Sequence, residues 1–220
     1  METLKADAFI DPFPHLIIEG FYNPEELELI WEELTFYTKP DKLLTAKDFG
    51  GVVGKTNSRA LFLDKVYKWH RKLSNILTVT RKVYDGNILE SFANLHDCCG
   101  LAPLTNNDCT KVRYYHNGEH YEPHVDSSMS FLIFTYFNKE PKKFTGGELY
   151  FPKYDYEFSC NNNSLIMFPA WVAHGVREVK IKDSNYYDGW GRYSITHFLR
   201  LIHKDSSNES ESKSDSVWML

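Results

Sequence analysis

No stretch of this chain approaches the roughly 18 consecutive apolar residues that a membrane-crossing helix needs, so a transmembrane span is not expected. The opening METLKADAFIDPFPH carries acidic residues where a secretory leader would be basic and then apolar. Lys and Arg form no dense stripe, and the formal net charge is −5, so the electrostatic footprint of a duplex-binding protein is missing. Nucleic acid is therefore not an expected partner. The four cysteines, Cys98, Cys99, Cys109 and Cys160, contain no CxxC pair, and without a leader a disulfide framework has no context. A zinc knuckle from His96, Cys98, Cys99 and Cys109 would need adjacent cysteines in place of the usual short loop between ligands. These absences lead to the expectation of a soluble, cytoplasmic protein with incidental or buried thiols. Oligomeric state leaves no mark in the sequence.

What is present is a globular composition rich in strand formers. Hydrophobic residues make up 42% and aromatics 15% of 220 residues, enough for one well-filled domain and unlike an all-helical bundle. FYNPEELELIWEEL predicts an amphipathic helix: Asn23 as cap, Pro24 at the first position, Glu26 three after the cap, then Leu27, Ile30, Trp31 and Leu34 on one face. A second helix is expected over residues 64–82, with Val66, Trp69, Leu73, Ile76 and Leu77 along its buried side, and a third over 87–97. From Thr110 the pattern changes to short runs, KVRYY, HYEPHV, FLIFTYF, GELYF, SLIMF, HGVREV and RYSITHFLRL, separated by Asn, Gly, Pro and Lys clusters. Seven or eight such strands imply an antiparallel sandwich or barrel. The expected organisation is a single domain over 1–203, with helical support at about 20–100 and a β core at about 110–202. The polar segment 204–220 is expected to be a disordered tail, although its VWML could dock.

GGVVGKT invites a phosphate-loop reading, but that motif requires a glycine where Phe49 stands, and no strand precedes it. A glycine-rich surface loop is the expected role.

YHNGEHYEPHVD (115–126) spaces three histidines four apart. On a helix His116, His120 and His124 would share a face, but Gly118 and Pro123 oppose a helix. In an extended chain His124 and Asp126 project to the same side and can bite one ion, leaving His116 and His120 as strand or turn residues. Chance alone supplies about 0.6 such His-x-Asp pairs in a chain of this composition, so the spacing by itself is weak. Its company is informative: His174 follows a buried-looking strand in FPAWVAHGV, and Arg192 opens the final one. Two imidazoles and one carboxylate on one side of a metal leave adjacent positions open, the arrangement suited to non-haem Fe(II). Arg192, Ser194 and Thr196 share parity, so a guanidinium and hydroxyls face one way, fitting a carboxylate.

These segments together, YHNGEHYEPHVD, GGELYFP (146–152), SLIMFPAWVAHGVREV (164–179) and GRYSITHF (191–198), resemble the 2-oxoglutarate and Fe(II)-dependent dioxygenases, in particular the prolyl 4-hydroxylase-like branch. A weaker likeness covers DPFPHLIIEGFYNPEEL and TNSRALFL. The resemblance implies a mainly β fold, a double-stranded β-helix (jelly-roll) flanked by α-helices. It implies iron held by His124, Asp126 and His174, with the distal carboxylate of 2-oxoglutarate at Arg192, and Tyr115 and Ser194 as further cosubstrate contacts. It also implies Fe(II), 2-oxoglutarate and O2 as cofactors, with ascorbate as a candidate reductant. The implied reaction is hydroxylation of an amino-acid side chain, first of all peptidyl proline, with decarboxylation of 2-oxoglutarate to succinate. The alternatives are a free amino acid or small metabolite as substrate, or a jelly-roll that only binds a partner. KDSNYYDGW (182–190) lengthens the usual interval between His174 and Arg192, which makes Arg177 a fallback for the carboxylate, and Leu149 stands where many relatives have Thr. Tyr154, Tyr156 and Trp171 are candidates for a substrate rim, though aromatics at strand spacing more often pack in a core.

Overall fold

The first helix starts by the chemistry written in FYNPEEL. In the computed structural model, which describes residues 6–51, 54–182 and 184–202, the Glu26 N–H donates to the Asn23 side chain at 2.8 Å and the Asn23 N–H donates to the Glu26 carboxylate at 2.9 Å. This reciprocal cap, with Pro24 in the first turn, opens α1 (Pro24–Tyr37). Ile30, Leu34 and Tyr37 are buried, with Leu27 and Trp31 half-buried beside them. Glu33 is buried too. Its carboxylate accepts from the Tyr37 hydroxyl at 2.7 Å, the Ser74 hydroxyl at 2.9 Å and the Ile76 N–H at 2.7 Å. An acid of one helix thus satisfies an orphan donor in the first turn of another and ties the helical layer together.

The continuous helix expected over 64–82 is not formed. After α2 (Ala46–Phe49), the chain makes α3 (Leu63–Val66), a 3-10 turn at Arg71–Leu73, α4 (Asn75–Val79) and a second 3-10 turn at Thr80–Tyr84. Ser74 caps α4 by accepting from the Leu77 N–H at 3.0 Å, which makes it the start of a new helix. Asp64 is drawn sideways, where it accepts from the Thr110 N–H and pairs with Arg71. Consequently Val66, Trp69 and Leu73 are 54%, 81% and 74% exposed, whereas Ile76 and Leu77 are buried as expected. The third helix, α5 (Gly86–Ala93), ends short of residue 97.

All seven expected strand runs form strands, and the first half also contributes three that the helical reading missed. β1 (Ala6–Phe9), β2 (His15–Glu19) and β3 (Arg59–Phe62) precede β4 (Asn107–Tyr115), β5 (Tyr121–His124), β6 (Phe131–Phe137), β7 (Phe144–Thr145), β8 (Leu149–Phe151), β9 (Tyr156–Phe158), β10 (Ser164–Pro169), β11 (His174–Val176), β12 (Lys180–Ile181) and β13 (Arg192–Arg200). The run HGVREV leaves its ladder after Val176. Pairing is antiparallel throughout: a seven-stranded sheet in the order β1-β2-β10-β6-β13-β4-β3 and a four-stranded sheet in the order β5-β11-β8-β9, with β12-β7 as a short ribbon. This is the mainly β, double-stranded β-helix architecture, with helices covering one face of the larger sheet. The parity of β13 divides two cores: Tyr193, Ile195 and Leu199 join the helix-side cluster, and Phe198 joins the cluster with Leu149, Phe151, Phe168 and Val176. Among the described residues no helix is long and apolar enough to cross a membrane. The expected tail over 204–220 and the docking of VWML lie outside the described residues.

Two stability predictions follow from the helical layer. Asn23→Ala should cost about 1 kcal/mol by urea unfolding. Glu33→Ala should cost more, about 3 kcal/mol, because it strands several buried donors at once. His197, fully buried on β13 beside Thr110 and Tyr84, is pushed down to about 3 by burial and stays neutral when folded. The unfolded chain takes up that proton below about pH 6.5, so stability should fall as pH drops from 6.5 towards 3. His197→Gln should remove up to about 1.4 kcal/mol per pH unit from that slope.

Candidate active site

Two short strands of the smaller sheet deliver the imidazoles. In the β5–β11 ladder His174 is the direct cross-strand partner of His124, and the ring centroids lie 4.5 Å apart. Asp126 follows two residues after His124, and its Oδ2 is 3.6 Å from His174 Nε2. His124, Asp126 and His174 each offer one ligand atom, all within 4.8 Å of one another, and they are the one such His/Cys/Asp/Glu group among the described residues.

Both histidines are oriented by their own backbone. His124 Nδ1 lies 3.0 Å from the Glu122 carbonyl and His174 Nδ1 lies 3.0 Å from the Val172 carbonyl. A carbonyl only accepts, so each Nδ1 carries the proton and each Nε2 presents a free lone pair, the tautomer that ligates metal. Tyr121 stacks on His124 at 3.8 Å, while Phe134 and Phe168 meet the His174 ring edge-on. Burial, then the neighbouring His174, pushes His124 down to about 3, and burial lowers His174. Neutral imidazoles are what a divalent cation needs.

Arg192 lines the same pocket from β13. Its side chain is buried, its Nε and Nη1 have no hydrogen-bond partner, and Nη2 reaches only the Cys160 sulfur at 3.4 Å. The rings of Tyr115 and Tyr136 flank the guanidinium at 4.9 and 4.7 Å. A buried guanidinium with two orphan N–H groups fits a bidentate carboxylate. The strand register places Tyr115 directly opposite Arg192 and Ser194 two residues further along the same face. Gly191 permits this approach, since a Cβ there would sit 2.1 Å from the Tyr115 carbonyl oxygen. The 182–190 insertion folds away as a 3-10 turn (Tyr186–Asp188) whose Tyr186 packs on Tyr114, with Asp183 outside the described residues.

The structure therefore brings together His124, Asp126, His174, Arg192, Tyr115 and Ser194. The remaining candidates lie outside this group. Arg177 is exposed, pairs with Glu157 at 2.6 Å and is outside the pocket, so the fallback role is not supported. Tyr154 and Tyr156 pack around Phe13, and Trp171 is exposed; none of the three lines the pocket. His116 and His120 lie in the turn before β5, away from the cluster. Cys98, Cys99, Cys109 and Cys160 are free, and those near His96 form no metal group with it. The glycine-rich loop has a use after all: the Glu122 N–H donates to the Lys55 carbonyl at 2.8 Å and the Thr56 hydroxyl to the His120 carbonyl at 3.0 Å, stitching residues 55–58 to the edge of β5.

Sequence reasoning overlooked Lys111, Arg113, Tyr121 and Phe134, which also line the pocket. A signal existed for two of them: in KVRYY, Lys111 and Arg113 share parity with Tyr115 and must face the way it faces.

Residues 110–200 match the model for the 2OG-Fe(II) oxygenase superfamily. No curated protein matches the chain by sequence. Among solved structures, a Trichoplax adhaerens prolyl hydroxylase in complex with a hypoxia inducible factor peptide fragment superposes with a TM-score of 0.62 at 14% identity, covering 84% of this chain and 83% of its own. A Pseudomonas putida prolyl-4-hydroxylase gives 0.53 at 13% identity, covering 86% and 93%. A viral collagen prolyl hydroxylase from Paramecium Bursaria Chlorella virus-1, solved with 2OG, gives 0.50 at 16% identity, covering 86% and 96%. At these identities the likeness speaks for the fold.

The unpartnered guanidinium generates a prediction about the ligand-free protein. Arg192→Met should raise its stability by about 1–3 kcal/mol in urea, because an apolar side chain replaces an uncompensated buried charge. A loss of stability would mean that Cys160 and the two tyrosine rings already compensate the charge.

Proposed function

We propose that this chain, whose residues 110–200 match the model for the 2OG-Fe(II) oxygenase superfamily, is an oxidoreductase of that class and hydroxylates an amino-acid side chain, with peptidyl proline as the first substrate to test. The observation that carries the reading is one pocket holding three potential ligand side chains and a buried guanidinium with unpartnered N–H groups. In this reading His124, Asp126 and His174 hold Fe(II), and Arg192 receives the distal carboxylate of 2-oxoglutarate between Tyr115 and Tyr136, with Ser194 beside it. The bound metal and cosubstrate supply O2-dependent hydroxylation of an unactivated C–H, coupled to conversion of 2-oxoglutarate to succinate and CO2.

The chain's own residues orient and dry the site. The Glu122 and Val172 carbonyls keep both imidazoles aimed, and Phe134, Phe168 and Tyr121 surround them with apolar surface that limits water. Ascorbate enters the proposal as a reductant that keeps the metal ferrous. A peptide substrate is supported by the neighbour solved with a peptide fragment, and the cosubstrate by the neighbour solved with 2OG. Cytoplasmic operation belongs to the same proposal, supported by free, mostly buried thiols. A module that only binds a partner has no use for two freed Nε2 lone pairs beside a carboxylate, which weighs against that alternative. A free amino acid as substrate stays in view because the pocket carries further cations.

Anaerobic addition of Fe(II) and 2-oxoglutarate should produce a weak visible charge-transfer band, and in air proline-containing peptides should accelerate succinate release. His174→Ala should abolish the band while leaving far-UV circular dichroism intact. Global unfolding of that variant, or no band with the wild-type protein, would overturn the assignment.

A further inference from the structure

Besides Arg192, two cations line the pocket, and neither makes a direct ion pair among the described residues, although Asp126 acts on Lys111 and Glu119 on Arg113 at longer range. Lys111 and Arg113 lie two apart on β4, on the face that carries Tyr115, and Lys111 pairs across the sheet with Thr196. The Lys111 ammonium lies 4.4 Å from the Phe198 ring centroid and 5.3 Å from that of Phe62, and it makes no hydrogen bond or ion pair. Arg113 is buried and held by neutral groups. Its Nη1 donates to Ser58 Oγ at 2.7 Å and to Thr56 Oγ1 at 3.3 Å, and its guanidinium lies against Tyr121 and Phe49 at 4.8 and 5.0 Å.

Charge balance says what these cations await. Asp126 is the one acid that lines the pocket, and in the proposed function it is committed to the metal. A ferrous ion and Arg192 together balance Asp126 and both carboxylates of 2-oxoglutarate, so Lys111 and Arg113 are left as a surplus. Burial and the adjacent Arg113 push the Lys111 ammonium down to about 7 against the weaker opposing pull of Asp126, a cost that an arriving anion would offset. The loop 55–58 and Phe49 hold Arg113 in place, so the surplus is built into the scaffold and is not a flexible surface charge.

Resting on the proposed function, we propose that the primary substrate presents a carboxylate to Lys111 and Arg113, close to the carbon that is hydroxylated. Such a group is supplied by the α-carboxylate of a free amino acid or by an acidic side chain flanking the target residue in a peptide. The chemistry is shared, and the experiment separates the sources.

Two matched pairs serve as probes: L-proline against L-prolinamide, and N-acetyl-Glu-Pro-Glu amide against N-acetyl-Gln-Pro-Gln amide. Binding to the Fe(II)- and 2-oxoglutarate-loaded protein is followed anaerobically by perturbation of the visible band, and stimulation of succinate release is followed in air. The acid member of one pair should bind at least about tenfold more tightly than its neutral partner, and which pair responds identifies the source. Lys111→Met and Arg113→Gln should erase that preference while retaining the band in the absence of probe, and Lys111→Arg should restore it. No acid preference in either pair, including no binding of any probe, overturns the proposal. So does loss of the band in Lys111→Met, which would assign Lys111 to the cosubstrate. Absence of the band in the wild-type protein is a different failure, that of the proposed function itself.

Discussion

The pairing of β5 with β11 is the constraint on which the site depends. Both strands are short, yet their ladder sets His174 opposite His124 and brings in Asp126 from the residues just after β5. Residues 50 positions apart in sequence become neighbours only because two antiparallel strands exchange backbone hydrogen bonds in this register. A slip by one residue would turn each imidazole to the other face of the sheet. The loop 55–58 braces the outer side of β5, and β8 braces β11, so the ladder is held from both edges.

The larger sheet does the complementary work. β13 lies between β6 and β4: all nine of its residues pair with β4 and Tyr193–Leu199 pair with β6 as well, so its inward face is screened from water. That burial gives Arg192 its character: a guanidinium among tyrosine rings and a thiol is costly unless an anion meets it. The helical layer, knitted by the Glu33 carboxylate, backs the opposite face of the same strands through Tyr193, Ile195 and Leu199. Rigidity of the pocket wall is therefore borrowed from a core that contains no pocket residue.

Legibility in the sequence followed the range of the interaction involved. The Asn23–Glu26 cap spans three residues and was read directly. Strand parity is equally local, and it assigned Arg192 and Ser194 to one face correctly. The broken helix over 64–82 was misread because its periodicity is genuine, while the forces that break it are not periodic: Asp64 is taken by the backbone of β4, and Ser74 by the next helix. β2 and β3 were missed because four or five residues carry little pattern, and they are strands only where β10 and β4 offer partners.

By itself, the sequence determined which residue types were available, their alternation along each strand and the caps that start helices, because these depend on dihedral preferences and contacts within a few residues. Tertiary structure alone decided that Arg192 and not Arg177 enters the pocket, that Tyr154 and Tyr156 pack against the core, and that Lys111 and Arg113 line the cavity without an ion-pair partner of their own. The physical reason is that burial and charge pairing are properties of surroundings. Those surroundings are assembled from segments more than a hundred residues apart, and only the completed sheet register specifies which of them meet.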